Sequence, residues 1–190
     1  LIMSYILIKK IKLKSNFKYL FFSYLISFFY LFLFKNHDDF PYYHLSFTSN
    51  LTDNKIEFGL GHFEVAFNHV SSIFFFNSLF KTIFTADFFY QIGQISIIIF
   101  ANTYLLQKLF ENKKKTELNL TFYLSLFCFF FINIFFYRLA EHGTDRSAQI
   151  LFFLCFIFIC DLIKNKNFFN KNFEVLLILF TLIISLKSFY

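Results

Sequence analysis

The stretch YLFFSYLISFFYLFLF, residues 19–34, decides the fold, because it contains no charged side chain and almost only large apolar residues. With its flanks it reaches the ~20 residues that a membrane-spanning helix needs. No small-x-small cleavage site follows it, so the sequence predicts an uncleaved signal anchor whose N-terminus lies inside the cell. The lysines that precede this first span are Lys9, Lys10, Lys12, Lys14 and Lys18.

The rest of the chain has the same character. It is 57% hydrophobic, 25% aromatic and 16% charged, with a mean hydropathy of +0.57, which is more apolar than one soluble core can bury. The net charge of +6 does not indicate nucleic-acid binding, because the lysines stand in short clusters beside apolar runs. Three cysteines lie inside apolar runs, and their odd number argues against a disulfide framework.

Four further apolar runs follow, at residues 84–110, 118–137, 148–163 and from about 173 onward. The sequence therefore predicts an all-α integral membrane protein with about five transmembrane helices, forming one transmembrane domain over residues 1–190. The inner segments of this topology carry twelve lysines, against five basic residues in the outer ones. That asymmetry supports an inside N-terminus. The five outer basic residues are Lys35, Lys55, Lys81, Arg138 and Arg146.

The first extracytoplasmic loop, residues 35–83, contains a polar island at 36–78 with four of the five histidines and the only proline. Proline favours the first turn of a helix, so the pattern predicts a surface helix over 41–51 that Asp53 ends. Tyr43 belongs to its apolar edge, and His44 and Thr48 form a polar edge. Serines at 71 and 72 predict the cap of a second short helix.

Asp38 and Asp39 follow the first span directly, where a carboxylate can meet a polar headgroup. They are candidates for a general base toward an acceptor hydroxyl or amine, or for a metal ligand. The alternative interpretation is a solvated loop or a helix-cap charge. His44 is a candidate phosphate partner.

The second extracytoplasmic loop, residues 138–147, is the other polar cluster, and a hydrated connector is its simpler interpretation. Against that, the chain uses arginine only in this loop, and guanidinium is the better bidentate phosphate ligand. An anionic, lipid-linked substrate is the implied partner. The ionisable residues of this loop are Arg138, Glu141, His142, Asp145 and Arg146.

These loops carry a family resemblance. The stretch DDFPYYHLSFTSNL, then NKIEFGLGHFEVAFNHVSSIFFFNSLF and, two spans later, EHGTDRSAQIL resemble a poorly characterised bacterial branch of the GT-C class of membrane glycosyltransferases. The resemblance covers residues 35–151, and it departs from the branch's pattern where a GLGN-like turn reads GLGH and an NSS-like element reads HVSS. It implies that the chain is the N-terminal part of such an enzyme, with Asp38 or Asp39 as catalytic base and Asp145 as a second acid.

The expected function is therefore transfer of a sugar from a polyprenyl-phosphate-linked donor at the outer face of the bacterial inner membrane. The lipid-linked donor and the membrane lipids are the expected partners. The sequence does not identify a cofactor, and a divalent cation is one option. The alternatives are a non-catalytic polytopic subunit and a transporter component. The candidate substrate-binding residues are Tyr43, His44, His62, Arg138, Glu141, His142, Asp145 and Arg146.

Overall fold

The structure is a computed structural model, and it describes residues 17–32, 39–54, 59–62, 64–68, 70–84, 90–113, 120–142, 145–165 and 171–187. The described part of the chain is all helical and contains no β-strand, which confirms the predicted all-α class. A π-helical turn, Phe40–His44, leads into the helix Leu45–Asp53, and three 3-10 turns occur in the two loops. The α-helices are α1 (Phe17–Phe32), α2 (Leu45–Asp53), α3 (Ser72–Ile83), α4 (Ile92–Lys113), α5 (Leu120–Phe135), α6 (Asp145–Asn165) and α7 (Lys171–Leu186).

Helix α4 is the centre of the bundle, since it packs against α1, α3, α5 and α6, and α7 packs along α6. Near its C-terminal end, the ring of Phe110 stacks on Tyr19 of α1 with 5.3 Å between centroids. At the same end, Lys108 forms an ion pair of 2.7 Å with Asp161 of α6. The C-terminal ends of α4 and α6 and the N-terminal end of α1 therefore lie together, as the predicted alternation of spans requires.

The bundle has a hydrophobic core that also buries polar side chains, and its outer surface is apolar. Serine, asparagine and glutamine side chains are buried between the helices, including Ser23, Asn102 and Ser125, each 0% exposed. Large apolar side chains face outward instead, on α1, α5, α6 and α7. Examples at least half exposed are Phe21, Phe29, Phe127, Phe130, Ile134, Phe152, Phe156, Leu177 and Ile184.

A polar network joins three of the helices at mid-bundle. The side-chain amides of Asn102 on α4 and Asn133 on α5 donate one hydrogen bond to each other, at 3.0 Å and 2.8 Å. The hydroxyl of Tyr30 on α1 donates to the side-chain oxygen of Asn133. Because a hydrogen bond has strict distance and angle requirements, this network fixes the rotation of the three helices about their axes.

The first outer loop folds as predicted in most respects. Helix α2 ends at Asp53, and the hydroxyl of Ser71 accepts from the backbone N–H of Ile73 as the cap of α3. Phe47 of α2 packs on Phe74 of α3 at 5.6 Å between ring centroids. The predicted polar edge is buried, because His44, 4% exposed, also lies against α3.

The second predicted span begins later than the sequence pattern placed it. Phe84 closes α3 instead, through a bond from its N–H to the carbonyl of Phe80. Helix α4 begins where Asn77 of α3 accepts from the N–H of Gly93 and donates to the carbonyl of Tyr90, both at 2.8 Å. The first backbone N–H groups of a helix have no acceptor within the helix. The Asn77 side chain accepts from one of them, that of Gly93, and so stabilises the start of α4 at this position.

Among the described residues, one helical segment is long and apolar enough to cross a membrane, Asp145–Lys164 within α6. Half of that segment is buried against other helices. Leu120–Phe135 and Phe173–Leu186 are shorter apolar helices.

Candidate functional site

The first outer loop places its candidate residues in two different environments. Asp39 is exposed directly before the π-helical turn, and Asp38 lies outside the described residues. Tyr43 and His44 turn inward, and the His44 ring contacts Tyr43 at 4.2 Å and Phe74 at 5.2 Å between centroids. Among the described residues of this set, Asp39 is therefore the exposed acid, and Tyr43 and His44 pack inside the loop.

The segment after α2 folds back onto the same turn. The Tyr42 hydroxyl donates to the carboxylate of Glu64 at 2.8 Å, and that hydrogen bond, with the carboxylate charge, raises the pKa of Tyr42. Gly59 has φ of +85°, a left-handed conformation that glycine adopts without the steric cost of a Cβ. His62 is exposed on the 3-10 turn that follows, where it can contact solvent or a headgroup.

The second outer loop is held in shape by His142. Its Nε2 bonds to the backbone carbonyl of Phe136, and the hydroxyl of Ser147 donates to the carbonyl of His142 at 3.0 Å. The ring is 0% exposed, and this burial lowers the pKa of His142 to about 4, with the charge of Arg146 adding to the effect and the Phe136 carbonyl opposing it. Neutral His142 therefore stabilises the loop and does not present a positive charge to a phosphate.

Both arginines of the chain lie on aromatic rings of consecutive residues. The guanidinium carbon of Arg146 is 4.7 Å from the ring centroid of Phe136, and that of Arg138 is 5.6 Å from the centroid of Tyr137. Arg138 Nε also donates to the Tyr137 hydroxyl at 3.4 Å. Contact with a ring face orients each guanidinium, and Nη1 of Arg146 also donates to the side-chain oxygen of Gln149 at 3.3 Å. This geometry suits the recognition of an anionic oxygen group.

Asp145 begins α6, as expected, but it meets a residue that the sequence analysis did not select. The ammonium of Lys187, immediately after α7, forms an ion pair with the Asp145 carboxylate. The predicted topology contained a signal for this lysine, because a fifth span that starts near residue 173 would return to the outer side about there. Glu141 lies on the turn Leu139–His142, and its side chain is outside what the structure describes.

The two outer loops are joined through the end of α7. The hydroxyls of Ser72, at the start of α3, and Ser185, near the end of α7, are 3.0 Å apart. Lys187 follows two residues later and reaches Asp145 of the second loop. Residues that the sequence separates by up to 113 positions are thus gathered at one end of the bundle.

Metal binding has little support within the described residues. No group of three or more histidine, cysteine, aspartate or glutamate side chains there is arranged to hold a metal ion. The three cysteines are free, with Cys128 and Cys155 buried. Arg138, Arg146 and Lys187 lie at this end of the bundle, and Asp145 is paired with Lys187. No protein-family model, curated protein or solved structure matches the chain.

Proposed function

We propose that the chain is a multi-pass protein of the bacterial inner membrane. The support is the apolar outer surface of the bundle, on which Phe127 and Phe130 are 58% and 52% exposed, while the polar Asn102 is 0% exposed among the helices. A soluble protein leaves so many large aromatic side chains in water at a high cost, because burying one contributes about 1.5–3 kcal/mol. In lipid the same surface is favourable, and small or polar residues form the helix contacts.

Helix lengths and lysine positions fit this membrane setting. Helix α4 has 22 residues and α6 has 21, which correspond to about 33 Å and 31 Å at 1.5 Å per residue. Both lengths match the ~30 Å thickness of a hydrocarbon core. The lysine clusters put the N-terminus, the C-terminal end of α4 and the start of α7 in the cytoplasm.

At the outer end, the protein transfers a sugar from a polyprenyl-phosphate-linked donor, as the GT-C resemblance implies. The observation that carries this proposal is that the guanidinium groups of Arg138 and Arg146 both lie on aromatic rings at the second extracytoplasmic loop. The chain has no other arginine. Guanidinium donors form paired bonds to phosphate oxygens. A membrane-embedded site with such donors suits a substrate that carries a phosphate at the lipid surface.

The chemical step then follows from the exposed acids of the first loop. The acceptor hydroxyl attacks the anomeric carbon of the sugar, and its proton passes to the carboxylate of Asp39 or Asp38. The bond between that carbon and the phosphate oxygen breaks, and polyprenyl phosphate leaves with the electron pair. Arg138 and Arg146 stabilise the leaving phosphate, and Asp145 orients the acceptor or a divalent cation. His44 is buried against Phe74 and takes no part in this step.

A non-catalytic membrane subunit is the second candidate, and a transporter component belongs to the same alternative. Two observations favour it: His142 is fully buried as a loop support, and the Asp145 carboxylate is already paired with Lys187. In that setting the outer loops bind a partner and transfer nothing.

The deciding experiment measures polyprenyl phosphate released from a panel of polyprenyl-phosphate sugars by the full chain in proteoliposomes. Replacing Asp38 and Asp39 together by Asn is expected to lower release by about 10²-fold or more, since that is the usual contribution of a general base. Asp53→Asn is the matched control, because Asp53 is an exposed acid of the same loop.

The control variant is expected to keep wild-type release. Unchanged release by the Asp38→Asn, Asp39→Asn variant removes these acids from the mechanism. A wild-type chain that turns over none of the donors favours the subunit.

A further inference from the structure

The ion pair between Asp145 and Lys187 lies directly beside the proposed phosphate contacts. Asp145 precedes Arg146 in the chain, and Lys187 approaches from the end of α7. The Asp145 side chain is 48% exposed and that of Lys187 is 23% exposed, so both remain within reach of a ligand. The outer end thus has a third cation, which is occupied by a carboxylate of the protein itself.

We propose that an incoming phosphate group replaces Asp145 on Lys187. This inference rests on the proposed binding of a lipid phosphate at the outer end. Lys187 becomes the third cation on the phosphate, next to Arg138 and Arg146, and the released Asp145 carboxylate turns to the acceptor. Asp145 and Lys187 therefore couple occupation of the site to the availability of its second acid.

The strengths of the competing interactions favour such an exchange. A partly exposed lysine–carboxylate pair is a weak interaction. The phosphodiester of the donor carries one negative charge, and the polyprenyl phosphate that it releases is a monoester with up to two negative charges and three acceptor oxygens. The released Asp145 is the first residue of α6, where the positive end of the helix dipole stabilises a carboxylate. The carboxylate therefore keeps a favourable environment after Lys187 has left it.

The two partners of the pair are expected to have opposite effects on ligand binding. With Asp145→Asn the lysine no longer has a competing carboxylate, so phosphate is expected to bind about two- to five-fold more tightly. With Lys187→Gln the third cation is absent, and binding is expected to weaken by a similar factor. The double variant is expected to match Lys187→Gln, because the exchange acts through the ammonium of Lys187.

The test measures binding by calorimetry to the full chain in detergent, with farnesyl monophosphate, inorganic phosphate and farnesol as probes. Binding of farnesyl monophosphate alone identifies a lipid phosphate, and equal binding of inorganic phosphate identifies a free one. Farnesol reports the contribution of the apolar chain. Thermal unfolding of each variant is recorded in parallel, and Asp145→Ser replaces Asp145→Asn if the latter folds poorly.

The inner end of the bundle supplies a matched control. Lys108 and Asp161 form a second lysine–aspartate pair between helices, with side chains 24% and 13% exposed. Asp161→Asn is expected to leave the affinity for farnesyl monophosphate unchanged. If it tightens binding as much as Asp145→Asn does, the effect is general electrostatics and the exchange is refuted.

Two further outcomes separate the exchange from the proposed function. If the wild type binds farnesyl monophosphate but Asp145→Asn and Lys187→Gln both weaken binding equally, the pair only supports the structure. The exchange then fails while phosphate binding stands. If the wild type binds neither phosphate probe, the proposed function and the exchange fail together.

Discussion

Replacing Asn133 by leucine tests whether the polar network at mid-bundle holds the helices together. The side chain of Asn133 forms two hydrogen bonds with the side-chain amide of Asn102 and accepts a third from the hydroxyl of Tyr30. Leucine has a similar size and removes these three interactions between helices, together with the bond from the Asn133 amide to the carbonyl of Phe129 within α5. Asn102 is 0% exposed, so its amide has no water to turn to. We expect the bundle to lose stability while its apolar surface stays the same.

The magnitude follows from the number of lost bonds. Hydrogen bonds between membrane helices contribute on average about 0.6 kcal/mol each, so losing three costs about 2 kcal/mol. Asn102→Leu removes two of them and costs about 1 kcal/mol. The double variant loses no bond beyond those three, so it is expected to cost about 2 kcal/mol, which leaves a coupling energy of about 1 kcal/mol between the two sites.

The assay is unfolding of the purified chain in mixed micelles by a denaturing detergent, followed by circular dichroism. Ser96→Ala is the control, because Ser96 is exposed on α4 and its hydroxyl bonds only within its own helix in the described structure. That variant is expected to unfold like the wild type. A double variant whose cost equals the sum of the single costs, with coupling below about 0.3 kcal/mol, would refute the reasoning.

Two further predictions concern the loop histidine and the lipid-facing surface. The pKa of His142 is about 4 in the fold against 6.5 when unfolded, so the unfolded chain binds more protons between these values. Stability is expected to be full above pH 6.5 and to fall by about 3 kcal/mol toward pH 4, and thermal unfolding of His142→Gln is expected to lack this loss. Phe127→Lys, at the middle of α5, is expected to cost about 2.5–3.5 kcal/mol of membrane insertion, measured as the fraction recovered in membranes. Phe135→Lys, at the end of the same helix, is the tolerated control, and equal recovery of both would contradict a lipid-facing α5.

Local sequence signals identified most of the helices. The proline at 41, Asp53 and Ser71 marked the helices of the first outer loop, since a cap acts on backbone groups only a few residues away. The start of α4 was placed too early, because it depends on the Asn77 amide of another helix. Periodicity could not show that His44 is buried, because an amphipathic edge reveals which residues are polar and not what packs over them.

The candidate site divides in the same way. Composition and lysine counts predict that all five histidines and both arginines lie in outer segments, and GT-C chemistry is a prediction from resemblance. Nothing in the local pattern indicated that Arg138 and Arg146 stack on Tyr137 and Phe136, or that His142 supports the loop as a neutral residue. Such features depend on side-chain rotation and burial, which neighbouring residues in sequence do not fix.

The sequence by itself determined the helical class and the approximate positions of most helices, because hydrophobic length and backbone hydrogen bonding within a helix are local properties. Tertiary structure alone decided which polar groups meet. Lys187 reaches Asp145 across 42 positions, and Tyr30 reaches Asn133 across 103. These contacts depend on the axial rotation and relative height of whole helices, which are set by packing between them and by no single segment.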